Sequence, residues 1–177
     1  CNEWLEFRRV LFRSELSNAL EEAIANLLEA KEAEGKKLAE DMINRLELIN
    51  ENILNISQYS TGLIDQYVVK LKDRIKEMLQ TDIVDEARIS QEVVLYADKT
   101  SIEEEITRLK SHIVQFKELL QSESIKKAGK RLDFIIQEMN REVNTIGSKS
   151  NCLEITNLVI ELKTELEDVR EQVQNIE

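Results

Sequence analysis

The first half of the chain carries apolar residues at steps of three and four, which is the spacing of one face of an α-helix. The repeating positions are Leu20, Ile24, Leu27, Leu38, Met42, Leu46, Ile49, Ile53 and Ile56. The pattern thins around Gly35, where a glycine inside a helix costs about 1 kcal/mol relative to alanine. The stretch 55–62 looks like a turn, and helical spacing resumes over 63–79. We therefore predict a long helical hairpin over residues 15–80.

The second half shows the same spacing in shorter segments with clearer boundaries. Asp85 is placed to cap a short helix, and Ser101 with Glu104 forms an S-x-x-E capping box before the next one. Another helix is expected over about 128–145, with Gly147 as a left-handed cap at its end. A last helix follows to the end of the chain. These segments predict a compact bundle of amphipathic helices.

Composition supports an all-α fold. The chain has no proline, four glycines and 33% charged residues, which leaves little besides helices and short connections. We divide it into the hairpin over 15–80, the bundle over 81–177, and an opening segment over 1–14. That segment, CNEWLEFRRVLFRS, has no capping signal and an Arg-Phe-Leu mixture unlike the acidic chain that follows. It is interpreted as an adapter-like, non-native segment and carries no functional argument.

The net charge and the cysteine content restrict the classes of function that fit this chain. The formal net charge is −11, whereas a free-standing nucleic-acid binder is usually basic, so any surface that contacts RNA has to be local. No apolar run reaches the roughly 18 residues that a membrane-spanning helix needs. Cys1 and Cys152 are too far apart in sequence to suggest a disulfide framework or a zinc site. We expect a cytoplasmic protein with reduced cysteines.

The helix after Ser101 carries a polar stripe on the side opposite its apolar positions. The stripe consists of Glu105, Arg108, His112 and Gln115 at steps of three and four. His112 is the single histidine of the chain, and an imidazole is able to exchange a proton near neutral pH. The alternative is a solvated face held by intrahelical ion pairs worth roughly 0.3 to 0.5 kcal/mol each.

The helix over 128–145 carries two further polar stripes. One consists of Asp133, Gln137, Asn140 and Asn144, and the other of Glu138, Arg141, Glu142 and Thr145. Asparagine and threonine are mediocre helix formers, so this composition favours a buried polar network or a ligand-binding face. Glu138 and Glu142 lie one turn apart and are able to share a hard cation such as Mg²⁺ or Mn²⁺. An ordinary solvent-exposed pair is the alternative. The chain has no glycine-rich phosphate loop, serine-nucleophile motif or paired-cysteine metal site.

Three long motifs resemble the C-terminal domain of the YicC/YloC family. They are ISQEVVLYADKTSIEEEITRLKSH, GKRLDFIIQEMNREVNTIGSKS and VIELKTELEDVREQVQNIE, in this order. The resemblance is close over 89–177 and looser over 15–88. It implies a bacterial endoribonuclease that cleaves single-stranded RNA with a divalent metal, Mn²⁺ or Mg²⁺. It also implies a homo-oligomer, a ring-like hexamer, an exoribonuclease as a possible partner in RNA turnover, and an N-terminal domain that this chain lacks.

The resemblance gives functional meaning to polar residues within the matched motifs. The candidate metal ligands are Glu92, Glu105, Glu138 and Glu142. The candidate catalytic residues are His112, Glu105, Glu138 and Glu142, with His112 as general acid or base. The candidate RNA-binding residues are Arg108, Arg131, Asn140, Arg141, Asn144 and Lys149. Because a lone imidazole cannot supply both acid and base, metal-activated water is favoured over attack by the 2′-hydroxyl of RNA. The rival hypothesis is a non-catalytic oligomerisation or adaptor module whose polar stripes hold subunits together.

Overall fold

The computed structural model describes residues 2–79, 85–121 and 128–174, and these ranges contain helices and no strand. The helices are α1 Asn2–Thr61, α2 Leu63–Leu79, α3 Glu86–Thr100, α4 Glu103–Gln121, α5 Gly129–Lys149 and α6 Leu153–Gln174. The all-α prediction is confirmed. Among the described helices, none combines the length and the apolar character required to cross a bilayer.

Helix boundaries follow the sequence signals only in part. Asp85 caps α3 as predicted, because its side chain accepts hydrogen bonds from the backbone N–H groups of Ala87 and Arg88. The predicted turn over 55–62 is wrong, since α1 continues to Thr61 and a turn at Gly62 is all that separates it from α2. Polar residues such as those in this stretch weaken a helix without ending it when no proline intervenes.

Two other boundary predictions are also wrong. Ser101 and Glu104 do not form a capping box, because α4 begins at Glu103 and Ser101 is not at its N-cap position. The Glu104 carboxylate instead accepts a hydrogen bond from Arg108 one turn along α4. Gly147 lies inside α5, which ends at Lys149; the backbone N–H of the C-cap residue Ser150 donates to the carbonyl of Ile146 at 3.1 Å. Gly147 instead permits close packing, since a Cβ there would lie 3.1 Å from Cγ1 of Val159 on α6.

The chain forms two compact units, Cys1–Asp41 and Met42–Glu177. In the first unit, α1 exposes large apolar side chains, including Leu16, Leu20 and Ile24. The division predicted at residues 14 and 80 stays a prediction, and the second of these boundaries falls in 80–84, outside the described residues.

The core of the second unit is built from four helices. Their buried apolar residues are Met42, Leu46, Ile49, Ile53 and Ile56 of α1; Ile106, Leu109, Ile113, Phe116 and Leu120 of α4; Leu132, Ile135, Ile136, Met139, Val143 and Ile146 of α5; and Ile155, Val159, Leu162, Leu166, Val169 and Val173 of α6. Alternating steps of three and four are typical of helices that interlock side chains along their length, as in coiled coils and helix bundles. Burying each large side chain contributes about 1.5 to 3 kcal/mol.

Ion pairs and one ring contact show which of these helices lie next to each other. Arg45 of α1 pairs with Glu165 and Asp168 of α6, at 3.2 and 2.8 Å. Helix α5 packs against both α4 and α6, and α2 packs against α3. The α2–α3 contact includes Tyr67 and Tyr96, whose rings stack with centroids 3.6 Å apart and planes within 3° of parallel. The bundle thus places α4 and α5 side by side.

Candidate active site at the α4–α5 seam

Polar residues of α4 and α5 meet along the line where the two helices touch. Glu105 pairs with Lys149, and three residues further along α4, Arg108 pairs with Glu142. Residue numbers rise on α4 as they fall on α5, so the helices are antiparallel. Extending this register by one turn, we expect His112 to face Glu138. We call this set, Glu105, Arg108, His112, Glu138, Glu142 and Lys149, the polar seam.

Glu105 is the most deeply buried charged residue of the seam. Its side chain is 6% exposed, and Oε1 accepts a hydrogen bond from Nζ of Lys149 at 2.8 Å. The same ammonium donates to the backbone carbonyl of Ser101 at 2.9 Å. The second carboxylate oxygen, Oε2, is buried without a hydrogen-bond partner. Lys149 is therefore the ion-pair partner of this buried carboxylate, and the charge of Arg108 adds to its compensation.

Arg108 connects the two helices through a pair of carboxylates. It donates one hydrogen bond to Glu142 across the seam at 3.3 Å and another to Glu104 on its own helix. The hydrogen bond to Glu142, followed by the charge of Glu104, raises the pKa of the guanidinium further above its usual range. Glu142 is a buried residue of α5, so its contact with Arg108 neutralises a charge that would otherwise face the core.

His112 and Glu138 form the next level of the seam. The imidazole is half-buried, and its Nδ1 is buried without a hydrogen-bond partner. Glu138 accepts a hydrogen bond from Arg141 on the same helix. This intrahelical pair, like Arg108 with Glu104, matches the solvated-face alternative for these stripes.

The candidate metal ligands do not lie in one group. Glu105, Glu138 and Glu142 belong to the polar seam, whereas Glu92 lies on α3 next to Tyr67. Burial, followed by the nearby Glu92 carboxylate, raises the pKa of the Tyr67 phenol. In the described ranges, no three Asp, Glu, His or Cys side chains are close enough together to hold a metal ion. A cation at the seam would compete with Arg108, Arg141 or Lys149 for these carboxylates.

Apart from Arg108 of α4, the candidate RNA-binding residues lie on α5, where they are divided between different sides of the helix. Arg131 lies on the same side as Glu138 and Glu142, so it extends the line of the seam. Asn140 and Asn144 share the stripe of Asp133, whose carboxylate accepts a hydrogen bond from Arg170 of α6 at 3.1 Å. The two asparagines therefore lie away from the seam.

A shallow cavity lies at the Arg131 end of the seam. Arg131 lines it together with Gln115 of α4 and with two residues of α5 that the sequence pattern did not indicate, Lys130 and Phe134. The sequence suggested a core position for Phe134, because it lies among the apolar residues Leu132, Ile135 and Ile136. Those three residues are buried, but Phe134 is 61% exposed.

Comparison with known proteins identifies the family. Residues 56–177 match the family model described as "Endoribonuclease YicC-like, C-terminal". A relative from Clostridioides difficile, named "Probable endoribonuclease YicC", is 52% identical over 169 residues, which are 94% of this chain and 57% of the relative. A protein of the same name from Haemophilus influenzae is 30% identical over 163 residues, 92% of this chain and 55% of the relative. This chain thus spans little more than half the length of these relatives, and it belongs to the endoribonuclease YicC-like family.

Proposed function

We propose that this chain is the C-terminal portion of a bacterial endoribonuclease that cleaves single-stranded RNA in the cytoplasm, with the phosphodiester bound at the polar seam. The observation that carries the proposal is the convergence of one imidazole, several carboxylates and several cations along a single helix–helix contact. Membership of a family whose relatives are named endoribonucleases supports the same activity.

Arg108 of the seam and Arg141 beside it are the cations proposed to bind the phosphodiester and to stabilise charge that develops on it. Arg108 and Arg141 have side chains 54% and 71% exposed, so both are accessible to a polyanion although each also contacts a carboxylate. Guanidinium groups bind phosphate oxygens through two parallel N–H donors and neutralise charge that develops on them. A local group of cations reconciles an RNA substrate with a net charge of −11.

His112 is the proposed proton-transfer residue. Its Nδ1 is enclosed, so the ring has to use Nε2 to exchange a proton with RNA or water. Replacing His112 with alanine should reduce cleavage strongly without dispersing the protein. A variant that cleaves at the original rate would remove the residue from the mechanism.

Assistance by Mn²⁺ or Mg²⁺ is part of the proposal. Glutamate oxygens are suitable ligands for either ion. If metal-activated water cleaves the RNA, EDTA should abolish the activity and the products should carry a 5′-phosphate and a free 3′-hydroxyl. Cleavage that survives EDTA and leaves a 2′,3′-cyclic phosphate would instead show attack by the 2′-hydroxyl of RNA.

The test of the seam uses glutamine in place of each of its glutamates. Glu105→Gln, Glu138→Gln and Glu142→Gln should each lower cleavage of a fluorescent single-stranded RNA, measured with and without Mn²⁺. Glu103→Gln is the matched control, since it removes an exposed carboxylate of α4 that lies outside the seam. The same changes are made at the aligned positions of the longer C. difficile relative. Unimpaired cleavage in all three seam variants would contradict the assignment.

The second candidate function is a non-catalytic oligomerisation or adaptor module in RNA turnover, within a hexamer that recruits an exoribonuclease. The observation that favours it is the pairing of each seam glutamate with a lysine or arginine, which is the arrangement of structural salt bridges. It predicts that Glu138→Gln or Arg141→Ala lowers the oligomer mass in light scattering. The catalytic proposal predicts an intact and inactive assembly.

A further inference from the structure

The exposed phenyl ring of Phe134 lies at the end of the polar seam, among positive charges. The surrounding cavity, of about 520 Å³, lies within the size range of ligand pockets in proteins. Its charged lining residues are Lys130, Arg131 and Glu118. Lys130 precedes Phe134 by one helical turn, so the ammonium and the ring lie on neighbouring parts of one face. Two cations therefore flank the ring against one carboxylate.

Solvent exposure of this ring is unfavourable in the isolated chain. Full burial of a phenylalanine side chain stabilises a protein by about 1.5 to 3 kcal/mol, and Phe134 remains 61% exposed. Neither Lys130 nor Arg131 forms an ion pair within the described ranges of the chain. An uncovered aromatic ring beside two cations and one carboxylate is complementary to a ligand that is planar, apolar on its faces and negatively charged at its edge. A nucleotide in single-stranded RNA has these properties.

The position of the cavity strengthens this assignment. Gln115, which lines it, belongs to the same α4 stripe as Arg108 and His112. On α5, Arg131 continues the line of Glu138 and Glu142. An RNA strand whose phosphodiester lies at the seam would therefore pass beside the Phe134 ring.

We infer that Phe134, Lys130 and Arg131 form a base-stacking subsite for single-stranded RNA beside the polar seam. The ring stacks on an unpaired base, and the two cations contact the adjoining phosphates. The subsite recognises single strands, because a base within a duplex does not present its face. This inference rests on the proposed function and adds to it the residues that select the strand.

The test measures binding of a fluorescein-labelled oligouridylate of about 12 nucleotides, a length within the usual single-strand site sizes, by fluorescence anisotropy. Phe134→Leu should raise the Kd about five-fold or more, whereas Phe134→Tyr should restore it, because tyrosine keeps the stacking face. An oligonucleotide with abasic riboses at alternate positions offers fewer bases for stacking. The Kd values of the original chain and of Phe134→Leu should therefore differ less for this oligonucleotide than for oligouridylate. Phe12→Leu is the matched control, since Phe12 is 68% exposed on α1.

The salt dependence of RNA binding tests the two cations, Lys130 and Arg131, separately from the ring. Lys130→Gln and Arg131→Gln should each reduce the slope of log K against log salt concentration by about 0.7, the value for one phosphate contact on a single strand. Phe134→Leu should leave that slope unchanged. Lys110→Gln, at an exposed position of α4 that does not line the cavity, is the control for the loss of one charge.

The possible outcomes separate the subsite from the proposed function. If the original chain binds RNA and the Phe134 and cation variants bind like their controls, the subsite is wrong and the function stands. If Phe134→Leu changes the oligomer mass in light scattering but leaves RNA affinity intact, the face is a subunit contact and the subsite is again wrong. If neither the original chain nor the C. difficile relative binds or cleaves RNA, both proposals fail.

Discussion

Replacing Lys149 with methionine removes the cation that is hydrogen-bonded to the buried Glu105 carboxylate. The methionine keeps most of the apolar stem, so the change isolates the charge. Lys149 Nζ lies 2.8 Å from Glu105 Oε1, and the side chains are 30% and 6% exposed. Breaking a buried ion pair costs about 3 to 5 kcal/mol and an exposed one about 0 to 1 kcal/mol. Since the carboxylate is buried and the lysine is partly solvated, we expect a loss of about 2 to 3 kcal/mol in the free energy of unfolding.

Urea unfolding followed by far-ultraviolet circular dichroism measures this loss. With an m-value of about 2 kcal/mol/M, the midpoint should fall by roughly 1 M. Adding Glu105→Gln to Lys149→Met should recover part of the stability, because a neutral amide replaces the uncompensated charge. Lys110→Met is the control for an exposed lysine of α4. The reasoning is refuted if Lys149→Met shifts the midpoint no further than Lys110→Met does.

Three further predictions concern the core and the α2–α3 contact. Leu109→Ala should lower the free energy of unfolding by about 2 to 5 kcal/mol, because Leu109 is fully buried. The control is Val114→Ala, at a position 55% exposed, which should change that free energy by less than about 0.5 kcal/mol in the same urea titration. Gly147→Ala should destabilise the protein by about 1 kcal/mol, because the added Cβ would crowd Val159, and a second change, Val159→Ala, should relieve part of this loss. Helix propensity alone implies the opposite, so an increase of about 1 kcal/mol in the free energy of unfolding would contradict this packing. Ultraviolet titration should show Tyr67 ionising above the usual tyrosine range, because burial and then the nearby Glu92 carboxylate raise its pKa. Since the folded state keeps the proton longer, stability should fall as the pH rises through that range; ionisation at the usual value would contradict the burial of the phenol beside Glu92.

The apolar spacing in the sequence predicted the helices and their buried faces more accurately than the capping signals predicted where the helices end. The apolar spacing around Leu46 and Leu109 identified the buried faces, because a helix core position is set by its angle around the axis. Gly147 was misassigned because its role depends on Val159, which lies on another helix. Glu104 was misassigned because α4 begins at Glu103, and its carboxylate accepts a hydrogen bond from Arg108 instead. In both cases the structure has a contact that local propensity does not record.

The sequence by itself determined the all-α class, the family and the angular position of each polar stripe on its own helix. It could not determine which neighbouring helix each stripe faces, because periodicity carries no information about the register between two helices. The packing of α4 against α5 placed Glu105 beside Lys149 and Glu142 beside Arg108, and the contact with α6 drew Asp133 toward Arg170. Exposure of Phe134 was likewise decided by tertiary structure, since an apolar residue is buried only where another element covers it.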